Sequence, residues 1–161
     1  MKFRAAWDNA GRQLFGSLNH CFLHPLPATL LLVKLSETDE RHLHAAEGWL
    51  DLDEPVEAAK ELEHISETVR GHPAFLLIRC RVYLETHRPD YTHTIALRLT
   101  DTLPESPDAW FYLASACARL GQNENVEPAL SRCFGAAIKM GEMDEWQKRV
   151  ANSRDLEGLA R

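Results

Sequence analysis

The chain echoes itself at an interval of sixty-eight residues: Ala46, Trp49, Ala58, Leu62 and Ile65 recur as Ala114, Cys117, Val126, Leu130 and Cys133. Half that interval, thirty-four residues, is the length of one helix–turn–helix unit in a solenoid, so a middle copy is expected to start near Pro73. Such a period constrains the fold more than any short motif does. A single hairpin cannot bury its apolar face alone, whereas stacking on a neighbour buries it. The expectation is an all-α chain. The functional question then shifts from catalysis to what a helical surface can hold.

Local signals divide the chain into helices that fit this period. Ser36-Glu37-Thr38-Asp39-Glu40 supplies an N-cap and acidic first-turn residues, which suit the positive end of a helix dipole. The spacing of Leu43, Ala46, Trp49 and Leu50 predicts a helix over 36–52. A turn at Asp53-Glu54-Pro55 leads to a second helix over 56–69, and Gly71-His72-Pro73 ends the pair. The middle pair is read at 74–86 and 91–103 around His87-Arg88-Pro89-Asp90, its second helix out of step with the repeat by a residue or two. The third pair falls at 109–120 and 124–140 around Gly121-Gln122-Asn123, and Gly141 closes it. A last helix over 142–150 sets Trp146 and Val150 on one face to cover the end of the stack, and a charged tail follows.

The third unit carries a family resemblance. Pro107-Asp108-Ala109-Trp110-Phe111-Tyr112-Leu113-Ala114, followed by Gly121-Gln122-Asn123-Glu124-Asn125-Val126, resembles a tetratricopeptide repeat. Trp110, Leu113, Ala114 and Gly121 stand where that family places Trp, Leu, a small residue and Gly; Cys117 and Val126 are conservative departures. In the first unit Ala46, Trp49, Ala58 and Leu62 fit, with His42 in place of the Trp, while the middle unit, with Cys80 and Tyr83, fits least. The resemblance covers residues 39–140; His42 to Asp53 and the closing Asp155-Leu156-Glu157 also resemble small bacterial proteins of this family. It implies a right-handed superhelix of about three hairpins with a C-terminal capping helix, acting as a protein–protein interaction module. Small residues such as Ala46, Ala58 and Ala114 would let the two helices of a hairpin approach closely.

In arrays of that family the first helix of each pair lines a concave groove. Carried over position by position, the groove would show Leu43, His44, Glu47 and Asp51, then Leu77, Ile78, Arg81 and Glu85, then Asp108, Phe111, Tyr112, Ser115 and Arg119. With Trp110 as the buried residue of its repeat, Phe111 and Tyr112 point elsewhere on the helix, and at least one reaches the groove. The competing reading packs them against the N-terminal segment or a neighbouring helix. Some members clamp a C-terminal carboxylate with Lys, Asn and Arg; Glu47, Arg81 and Ser115 at one set of equivalent positions do not supply that clamp.

Composition narrows the partners. A net charge of −6, with Lys and Arg scattered singly, lacks the basic stripe a nucleic-acid binder needs. The greasiest stretch, residues 26–35, is half the roughly twenty residues of a membrane span and contains Pro27 and Lys34. Met1 to Asp8 has no uninterrupted apolar core of a signal peptide. The four cysteines, Cys21, Cys80, Cys117 and Cys133, sit unpaired in apolar contexts, which favours a reduced cytoplasmic setting over a disulfide scaffold. His20-Cys21-x-x-His24 and His42-x-His44 are the only groups with metal-ligand flavour, and neither has the paired spacing of a zinc site. No phosphate-cradling glycine loop or Gly-x-Ser-x-Gly elbow is present. The reading is a cofactor-free, non-enzymatic module that takes a protein or peptide partner. Residues 1–35 form a separate N-terminal segment whose Phe3, Trp7, Phe15 and Phe22 either cover the first hairpin as a helical cap or build a homodimer; that dimer and an enzyme with a Cys–His site stay open as rivals.

Overall fold

The computed structural model of the protein describes residues 33–156. Among them are seven α-helices and no strand: α1 (Glu37–Asp51), α2 (Pro55–Glu63), α3 (Pro73–Glu85), α4 (Pro89–Thr102), α5 (Pro107–Arg119), α6 (Asn123–Met140) and α7 (Met143–Ala151). Each helix packs on the next, and the first helices of successive pairs also touch, α1 against α3 and α3 against α5. Residues 1–32, with Phe3, Trp7, Phe15, Phe22 and the His20-Cys21-x-x-His24 group, lie outside the described residues. Val33 and Leu35 pack against the core.

The helix starts follow from their residues. Ser36 Oγ accepts from the Asp39 amide at 3.1 Å and donates to the Asp39 carboxylate at 2.6 Å. Proline opens α2, α3, α4 and α5, where its missing N–H has no partner to lose. His72 caps α3 by accepting from the Ala74 amide, and burial, which lowers its pKa, keeps the ring in the neutral accepting form.

The three turns within pairs are equivalent. Asp53 (φ 60°), His87 (φ 59°) and Gly121 (φ 73°) are left-handed and stand thirty-four residues apart. After each, the next amide donates five residues back: Glu54 to the Trp49 carbonyl (2.9 Å), Arg88 to Tyr83 (2.7 Å) and Gln122 to Cys117 (2.9 Å). This is the hydrogen-bond pattern of a helix ended by one left-handed residue.

The middle pair therefore keeps the repeat register, and the slip read from its sequence is corrected. α4 begins at Pro89, thirty-four residues after Pro55 and thirty-four before Asn123. Thr92 takes the place of Ala58 and Val126 and is fully buried; its hydroxyl donates across the hairpin to the Cys80 carbonyl at 3.1 Å. Ala96 is small where Leu62 and Leu130 are large, and buried Ile95 supplies the bulk one residue earlier. The apolar stripe shifts while the backbone does not.

One further expectation changes, and the tail adds to the core. The helix expected over 56–69 stops at Glu63, followed by a 3-10 turn at Glu67–Val69. Asp39 Oδ1 takes the Ser66 amide at 2.9 Å, and the Arg70 guanidinium donates to the carbonyls of Glu63 and Ile65, so side chains satisfy the backbone there. The charged tail that follows α7 returns to the helices as far as Leu156, which is fully buried, and Asp155 pairs with Arg119 at 2.6 Å.

Candidate binding cleft

A cleft of about 680 Å³ opens where the C-terminal ends of the first helices meet the returning tail. α1 and its turn contribute Leu50, Asp51 and Asp53, and α3 contributes Arg81, Leu84 and Glu85. α5 contributes Phe111, Tyr112, Ser115 and Arg119, while Arg149 of α7 and residues 152–155 form the last wall. The thirty-four-residue spacing explains the floor. Arg81 and Ser115 occupy one set of equivalent positions, and Asp51, Glu85 and Arg119 another, so the stacked first helices bring them to one side.

Of the residues expected in a groove, Asp51, Arg81, Glu85, Phe111, Tyr112, Ser115 and Arg119 line this cleft. His44 and Glu47 are exposed on α1 but outside it, and Ile78 is buried in the core with Leu43. Leu77 is half-buried against the core, and Asp108 serves as a partner of Arg149 at 2.7 Å. The expectation that Trp110 is the buried member of its trio is corrected. Phe111 and Tyr112 are buried, at 8% and 6% exposure, while Trp110 is only half-buried, with its indole N–H donating to the Pro104 carbonyl at 2.8 Å.

Phe111 and Tyr112 face both the cleft and α7. Phe111 lies 5.9 Å from the Trp146 ring, and the Arg149 guanidinium sits 4.7 Å from Phe111 and 4.5 Å from Trp146. Stacking on two aromatic faces holds that cation in place, as the ring quadrupoles attract it. Its other nitrogen donates to the Tyr112 hydroxyl at 3.4 Å. Burial raises the Tyr112 pKa, so the phenol stays neutral.

The charges in the cleft are balanced and segregated. Arg81, Arg119, Arg149 and Arg154 meet Asp51, Asp53, Glu85 and Asp155. Three of the carboxylates stand at the α1–α3 end and three of the arginines at the α5–α7 end. Arg81 reaches Asp51 at 2.9 Å, and Arg119 holds both Asp155 and the Leu84 carbonyl. Asp53, Glu85 and Arg154 are exposed and form no ion pair among the described residues. On the floor, the Ser115 hydroxyl is buried with no hydrogen-bond partner. A buried hydroxyl in that state carries its full desolvation cost until something bonds to it.

Other chemistry lies elsewhere. Burial raises the pKa of Cys80, Cys117 and Cys133, the last to about 12, and all three are buried free thiols. Thiols of this kind lack the thiolate character of a nucleophile. His42 Nδ1 lies 2.8 Å from Glu61 Oε2 and stacks on His64, a link between α1 and α2 that holds the Glu61 carboxyl below its ordinary range. On the exposed face of α2, Lys60 pairs with Glu57 at 2.6 Å. Among the described residues no group of three or more His, Cys, Asp or Glu is placed to hold a metal ion, and no helix is long and apolar enough to cross a membrane.

Sequence reasoning missed the wall formed by Arg149 and residues 152–155. Arg149 follows Trp146 by three residues, a spacing that puts both on one helix face, and that was the available signal. The tail has no periodicity to betray its return. No protein-family model matches the chain, and no curated protein or solved structure matches it either.

Proposed function

We propose that the protein is a non-enzymatic binding module, a tetratricopeptide-like superhelical array that holds an extended segment of a partner protein in this cleft. The observation that carries the reading is the repeat itself. Equivalent positions of three helices deliver Asp51, Glu85 and Arg119, together with Arg81 and Ser115, to one open concavity. Small-molecule pockets of similar volume are predominantly apolar with few polar groups. Here eight charged side chains surround two aromatics and a hydroxyl without a partner, an arrangement suited to the side chains and main chain of a peptide of mixed charge. Buried, unpaired cysteines suit a reducing cytoplasm.

The test is selection of peptides from a random library on the immobilised full chain. Arg81→Glu and Glu85→Arg should each weaken the selected peptides roughly tenfold. Glu127→Arg, exposed on α6 and outside the cleft, should leave binding unchanged. Equal effects at all three positions, or no selected peptide, would overturn the reading.

A further inference from the structure

We infer that the partner segment presents an acidic residue followed directly by a bulky aliphatic one, and that the chain's own Asp155-Leu156 holds their place in the free protein. The inference rests on the cleft being the binding site. Arg119 belongs to the set of equivalent positions it shares with Asp51 and Glu85, so it is a residue of the repeat's own binding face. Its guanidinium is already engaged within the chain. The Asp155 carboxylate accepts from its Nε at 2.6 Å, with both side chains largely buried, and Leu156 beside it is wholly buried.

Residues 152–156 are outside any helix, and Leu156 closes the segment with a single turn bond to the Ser153 carbonyl. Backbone bonds tie Asn152 and Ser153 to the end of α7, and beyond them the segment is anchored through two side chains, one acidic and one aliphatic. It also fits incompletely, because the Ser115 hydroxyl on the floor is left without a partner. A partner carrying the same pair can replace both anchors and add an acceptor for Ser115. The tethered segment competes at high effective concentration, so it sets the threshold that a partner must exceed.

The experiment measures fluorescence anisotropy of a labelled, C-terminally amidated peptide, Ala-Asn-Ser-Arg-Asp-Leu, titrated with full-length protein. Amidation removes the terminal carboxylate, leaving the Asp side chain as the sole acid. The full-length Asp155→Asn/Leu156→Ser chain, with its segment released, should bind the peptide about tenfold or more tighter than the wild type. Asp155→Asn alone, which leaves Leu156 buried, should give a smaller gain. A peptide with Asn in place of Asp should lose the binding, as should Arg119→Ala in the released chain. Equal binding by wild-type and both variant chains, indifference to the Asn peptide, or no binding would overturn the inference. Library peptides still captured through Arg81 and Glu85 would show that the module reading survives without it.

Discussion

Replacing His87 with glycine should stabilise the protein, and replacing Gly121 with alanine should destabilise it, although both sit in short surface turns. His87 holds φ at 59° and Gly121 at 73°, in turns of the same hydrogen-bond pattern. A residue with a β-carbon is about 1–2 kcal/mol less stable in the left-handed region. Glycine gives back about 0.5–1 kcal/mol through its larger freedom in the unfolded chain. The difference leaves a gain of about 0.5–1 kcal/mol for His87→Gly and a loss of the same size for Gly121→Ala. Sterics do not cloud the second case, because a β-carbon at Gly121 meets no atom within 4 Å. Asp53→Gly should gain less, since a short polar side chain tolerates this conformation better. Urea denaturation of each variant reads the effect as a midpoint shift at unchanged slope, and the melting temperature should move by about 2–4 °C per kcal/mol. The two turns are separate, so the double variant should show nearly additive effects. A destabilised His87→Gly beside a neutral Gly121→Ala would refute the equivalence of the turns.

Three other outcomes follow from the same contacts. Ser115→Ala removes a buried hydroxyl without a partner and should raise stability by about 1 kcal/mol while weakening capture of library peptides; thermal melts and anisotropy read the two effects. The Asp39 pKa is lowered first by the Ser36 hydroxyl and then by the Ser66 amide, so its stabilisation is present above the unfolded aspartate value of about 4 and is lost as pH falls through the folded value. Asp39→Asn should therefore flatten the acid limb of stability measured by denaturation at successive pH values. Cys80, Cys117 and Cys133 should label with a thiol reagent only as fast as the chain opens, and mass spectrometry showing rapid native labelling at any of them would contradict their burial.

What could be read from the sequence was whatever the thirty-four-residue spacing touches. Ala46 and Ala114, or Ala58 and Val126, announce the close approach of paired helices, and the prolines and Ser36 mark helix starts. Gly121 advertises a left-handed turn. Asp53 and His87 adopt the same conformation with side chains that signal it more weakly than glycine does. The middle pair misleads because bulk moves from position 96 to 95, which rotates the apolar stripe without moving the backbone. Within the cleft, Asp51, Glu85 and Arg119 are legible as residues one period apart. The pairing of Arg119 with Asp155 joins residues thirty-six apart through a non-helical return, and no local pattern encodes that.

The binding claim is met most directly by a hydrogen-exchange footprint of a library-selected peptide on the full chain. Protection should gather at the C-terminal ends of α1, α3 and α5, around Asp51, Glu85 and Arg119, with residues 152–156 changing as well. Protection confined to α2, α4 or α6, with these residues unmoved, would contradict the account.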